Sequence, residues 1–196
     1  MSSSNLIRLG GLAAMVGGVA SAALGLLYVM QAQGVTYDGS IQNALRKGNY
    51  ENPVLTILLI GVMAAIAALH AIQRRHYGTP GLLASVVAFV GVAMTVGANL
   101  MGELVPTLAP MAIILPIIVG IPAALAGVIG LGLVTLNAQV LPRWCGAALV
   151  IVGVFGFPAA LSGGIGWALL GVPWAVVGYA VFRAGGRSTE RPARVR

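Results

Sequence analysis

Apolar residues fill long uninterrupted stretches of this chain, and polar residues are confined to short connections between them. A helix that crosses a hydrocarbon core about 30 Å thick needs about 20 apolar residues. The runs at 9–30, 54–72, 81–101 and 111–136 meet that length. The last apolar run, Cys145–Phe182, carries no charge. As one helix it would be about 57 Å long, nearly twice the core thickness. It must therefore fold back, and the glycines within Leu161-Ser162-Gly163-Gly164-Ile165-Gly166 mark the place. The pattern thus predicts spans at 145–161 and 164–182. A re-entrant pair that never crosses is the alternative for these two.

The expected fold is an all-α, polytopic transmembrane bundle of six spans forming one domain over residues 1–182. A polar outer loop occupies 31–53, and a disordered basic tail occupies 183–196. Composition agrees with a lipid environment. Hydrophobic residues make up 59% of the chain and charged residues only 8%, against about 25% in a soluble domain. The first run has Arg8 ahead of it and a small-residue stretch, Val19-Ala20-Ser21-Ala22, within it, as a cleaved secretory signal would. It is longer than the usual apolar region of about 7–15 residues, so we read it as a retained helix.

Charge sets the expected orientation. With the N-terminus inside, the inner segments hold Arg8, Arg74, Arg75, Arg143, Arg183, Arg187, Arg191, Arg194 and Arg196, against Arg46 and Lys47 outside. Basic residues accumulate on the cytoplasmic side, so both ends are expected there, in a cell (inner or plasma) membrane. Tyr28 and Trp167 are expected at the outer interface, and Trp144 and Tyr179 at the inner one. Arg74, Arg75, Arg183, Arg187, Arg191, Arg194 and Arg196 are candidate contacts for anionic lipid headgroups at the cytoplasmic face. The tail offers no interleaved aromatic platform, so nucleic acid is not an expected partner.

Glycine recurs on regular faces of the spans. Gly11, Gly18 and Gly25 lie seven apart, with Gly10 and Gly17 one position before. Gly120/Ala124, Ala123/Gly127 and Ala126/Gly130 form overlapping small pairs, and Gly171 and Gly178 are seven apart. Small residues let helix backbones approach closely in lipid. We read these faces as packing within one chain; a homodimer seam is the alternative. Pro116 and Pro122 interrupt the fourth span and are expected to kink or curve it.

Ionisable residues inside membranes point to function, and here they are scarce. Asn99 and Glu103, one helical turn apart, form the candidate polar site. His70 and His76 are six apart, on different helix faces, which is poor geometry for a metal. No catalytic, cofactor or metal site is expected. Ser162 has no base within reach on its side of the membrane, and no HExxH, paired aspartate or phosphate-binding loop is present. Cys145 stands alone, so no internal disulfide can form; it reads as a small packing residue.

Leu141-Pro142-Arg143-Trp144, followed by Gly146 and Leu149, leads into a glycine-rich helix. It resembles a segment of uncharacterised small bacterial membrane proteins with six predicted helices. The opening Arg8-Leu9-Gly10-Gly11-Leu12-Ala13 has the same character and parallels 143–148. The resemblance covers a short part of the chain and implies a bacterial inner membrane, with no functional residue carried over. The expected function is that of a non-enzymatic membrane protein acting through protein partners or lipids. The alternative is a transporter or channel for small solutes or ions, using the fourth helix and the Asn99/Glu103 region. A lipid-modifying enzyme is a weaker third.

Overall fold

A computed structural model describes residues 3–35, 51–105, 110–161 and 164–187. These residues form six helices and, among them, no strand. The helices are α1 (Ser3–Ala32), α2 (Glu51–Gln73), α3 (Gly78–Leu104), α4 (Pro110–Ala138), α5 (Arg143–Leu161) and α6 (Gly164–Arg187). Five of them, all but α5, are long and apolar enough to cross a membrane. The 19 residues of α5 make a helix about 28 Å long.

Local signals explain the boundaries. Pro110 opens α4, where its missing N–H costs nothing and its fixed φ suits the first helical position. Gly78 starts α3 with φ of 56°, a left-handed conformation that glycine adopts without strain. A four-residue connection, 139–142, joins α4 to α5, and Cys145 N–H donates to the Pro142 carbonyl at 2.9 Å. Pro116 and Pro122 both lie inside α4, which is continuous through them.

Two ends run longer than the hydropathy pattern alone predicts. α1 begins at Ser3, and α6 continues to Arg187, into the segment expected to be a disordered tail. Mutual packing is the reason. Arg8 lies over the Phe182 ring at 5.0 Å, and Gly185 sits against Ile7 and Arg8, so each helix end supports the other. Residues 188–196 and most of the outer loop, 36–50, lie outside the described residues.

The helices close into a ring in chain order, with α6 returning to α1. Neighbours run antiparallel. Gly11 meets Gly178 and Phe182, and Gly18 meets Gly171 and Ala175, across α1 and α6. Gly10 meets Ala64 and Gly17 meets Leu58, across α1 and α2. Gly91 faces Gly120 and Ala124, and Gly127 faces Ala88, across α3 and α4. Gly132 faces Gly146, and Gly153 faces Leu125 and Ile129, across α4 and α5. The glycine faces therefore pack within the chain.

These backbone-to-backbone seams divide the ring into two slabs. One slab is α6–α1–α2, with α1 in the middle; the other is α3–α4–α5, with α4 in the middle. The slabs meet at α2/α3 and α5/α6, where contact is sparser. Gly156, against Leu125 of its own slab and Leu170 of α6, reaches one of these looser seams. Close glycine contact fixes backbones at short range, so each slab is the stiffer unit.

Candidate functional site

A cavity of about 310 Å³ lies between the slabs. α2 contributes Leu58 and Val62, α3 Val92 and Thr95, α4 Ala124 and Val128, α5 Val152 and Gly156, and α6 Trp167 and Trp174. The lining is aliphatic and aromatic. Its one hydroxyl, on Thr95, donates to the Gly91 carbonyl at 3.0 Å in its own helix, so it is satisfied without a ligand. A known apolar void of roughly 150 Å³ stays dry and takes up benzene. This cavity is about twice that size, partly open, and offers water few partners beyond the indole N–H groups of Trp167 and Trp174.

Trp167 belongs to this lining, at the first turns of α6. The sequence pattern places it at the outer interface; the structure turns its half-buried ring toward the cavity. Trp144 and Tyr179 are exposed at the opposite end of the bundle, and Arg183 lies over the Tyr179 ring at 5.7 Å.

Polar clasps bridge the slabs at both ends of the cavity. Near the chain termini, Gln73 of α2 and Thr135 of α4 are fully buried. Gln73 Nε2 donates to Thr135 Oγ1 at 3.0 Å, and that hydroxyl donates to the Leu131 carbonyl at 2.7 Å. At the far end, the Asn99 side-chain amide donates to Thr56 Oγ1 at 2.6 Å, joining α3 to α2. Asn99 is thus a clasp residue. Glu103 follows it by one turn of α3, and its side chain lies outside the described residues.

A second polar group lies at the α2/α3 turn. Ser85 Oγ donates to the Gly81 carbonyl at 2.8 Å and stands 3.0 Å from Tyr77 Oη. Tyr77 and Ser85 thus share a hydrogen bond between their hydroxyls. The Tyr77 oxygen is also hydrogen-bonded to His70 Nδ1, 2.5 Å away. Burial raises the Tyr77 phenol above its ordinary value, with the Ser85 hydrogen bond pulling the other way. The Tyr77 ring lies directly over Gly81, where any side chain would collide with it. His76 is exposed and apart from this group.

The other candidate residues are placed as follows. Arg74 and Arg75 are exposed at the end of the bundle that carries the termini, and Arg183 lies at the same end. Arg187 closes α6, with its side chain outside the described residues, as are Arg191, Arg194 and Arg196 entirely. Cys145 is fully buried in the core. Ser162 lies outside the described residues.

Sequence reasoning missed the cavity, because an aliphatic residue facing a void is indistinguishable from one facing lipid. It also missed the Tyr77–Ser85 pair. The signal available was the tight Gly78-Thr79-Pro80 turn, which folds positions 70, 77 and 85 onto one another. No protein-family model, curated protein or solved structure matches this chain.

Proposed function

We propose that the protein is a non-enzymatic membrane protein that holds a small apolar molecule, or the tail of a lipid, between its two slabs. The cavity carries this reading: about 310 Å³, partly open, framed by five helices, lined mostly by carbon, and within the size range of small-molecule sites. An ion or polar solute would have to shed water into a lining that offers it little in exchange beyond two indole N–H groups. The reading therefore favours an apolar occupant over the small-solute or ion path through Asn99 and Glu103, and it needs no reactive group. The sparser seams supply a means of entry, since the slabs can part along α2/α3 and α5/α6, breaking the Gln73–Thr135 and Asn99–Thr56 hydrogen bonds while keeping the glycine contacts inside each slab.

We assign both termini to the cytoplasm, on the support that Arg8, Arg74, Arg75, Arg143, Arg183 and Arg187 all fall at one end of the bundle. On this reading α5 crosses with the others, as its length suits a thin or locally thinned bilayer.

Tryptophan fluorescence tests the binding reading. With Trp144→Phe removing the only indole far from the cavity, a brominated hydrocarbon should quench Trp167 and Trp174 saturably in nanodiscs. Val62→Phe and Val152→Phe, which fill the cavity, should return quenching to the weak, linear dependence expected of contact through lipid. Linear quenching in both the parent and the filled variants defeats the proposal.

A further inference from the structure

We propose that the α2/α3 seam is a binding site for an anionic phospholipid, with one acyl chain in the groove and the phosphate at Arg74 and His70. This site is separate from the central cavity. Two hollows meet there and share His70 and Leu82. The first, about 270 Å³, is an apolar groove between Ile66 and Ala67 of α2 and Val86, Phe89 and Val90 of α3. Leu82, Val86, Phe89 and Val90 are all exposed on the outer face of the ring, so the groove opens to the bilayer. The second hollow, about 460 Å³, continues past the helix ends to Arg74, Tyr77 and Thr79.

The combination matches an amphiphile of one sign. Arg74 is exposed, and the described part of the chain places no carboxylate at this end: Glu51 and Glu103 belong to the other. A guanidinium offers a planar fork that takes two phosphate oxygens at once. His70 is hydrogen-bonded through Nδ1 to Tyr77, which holds the ring where it lines both hollows. The turn that brings Arg74 and His70 together with Tyr77 depends on Gly78 and Gly81, so the polar end is a built feature of the fold.

The test uses the full-length protein, stripped of lipid in detergent, with dioleoyl phosphatidylglycerol or dioleoyl phosphatidylcholine added and bound lipid counted by native mass spectrometry. Phosphatidylglycerol should bind roughly fivefold tighter or more, the effect of one basic residue near a phosphate. Arg74→Gln should abolish that preference, whereas Arg75→Gln, next to it but outside the hollow, should keep most of it. Ala67→Phe, an exposed position, fills the groove without touching the core and should weaken both lipids. Equal binding of the two lipids overturns the proposal. So does an equal effect of Arg75→Gln, which would mean diffuse surface charge. Undiminished binding in Ala67→Phe overturns the acyl-chain groove, and a protein dimer lost in that variant would show that a second copy fills it.

Discussion

Replacing a helical glycine with alanine ordinarily stabilises a helix by roughly 1 kcal/mol, because glycine loses more backbone freedom on folding. At Gly11 the sign should reverse. An added Cβ there would stand 2.5 Å from the Phe182 nitrogen and 2.7 Å from the Gly178 carbonyl oxygen, where ordinary van der Waals contact begins at 3.4 Å. Both obstacles are backbone atoms of α6, so no side chain can swing away. The helices must separate by several tenths of an ångström along the seam. A gap of 0.5–1 Å forfeits about a quarter to a half of each contact's attraction, and overpacking of this kind typically costs about 1–3 kcal/mol. Gly97 is the internal control, since a Cβ there meets nothing within 4 Å. Unfolding in mixed micelles by a denaturing detergent, followed through tryptophan emission, reads both variants. Gly97→Ala should match or exceed the parent, and Gly11→Ala should fall below it by about 1–3 kcal/mol. Equal stability of the two variants would refute the idea that backbone contact holds the slab together.

Three further outcomes follow from particular contacts. Thr135→Val should cost about 1–3 kcal/mol by leaving the buried Gln73 amide without its partner, while Gln73→Leu/Thr135→Val together should recover most of it; a double-mutant cycle in the same unfolding assay measures the coupling. Gly81→Ala should push the Tyr77 ring off its seat and separate it from His70 and Ser85, seen as a shift of the His70 ring resonances by NMR that Thr79→Ala does not produce. Cys145 is fully buried, so the native protein should resist maleimide labelling until denatured; single cysteines placed at Ser3 and in 36–50 can then report which side each occupies, with the N-terminus protected in intact cells.

Much of the architecture was legible because lipid imposes a simple rule: a spanning segment must satisfy its own backbone, and hydropathy reveals its length. The expected six helices and the fold-back near 161–164 came from that rule. The glycine faces were legible too, since Gly11/Gly18 and Gly171/Gly178 repeat at the same spacing on helices that meet. Helix ends were less so. α6 reaches Arg187 because Phe182 and Gly185 pack on α1, a tertiary cause that local polarity hides. The inward faces were not legible at all. Ile57 is exposed while its neighbour Leu58 is buried and lines the cavity, yet the two look alike in a sequence whose outer surface is also apolar. Asn99 was visible as an oddity, but its partner Thr56, 43 positions away, was not.

Crystals of the protein pressurised with xenon would test the central claim most directly. If the space between the slabs is a dry apolar cavity, xenon should give a strong anomalous peak among Leu58, Val92, Val128 and Trp174, and Val62→Phe should remove it. A chain of ordered waters running through that space from Asn99 toward Gln73, with no xenon, would contradict the account and make a hydrated solute path the better description.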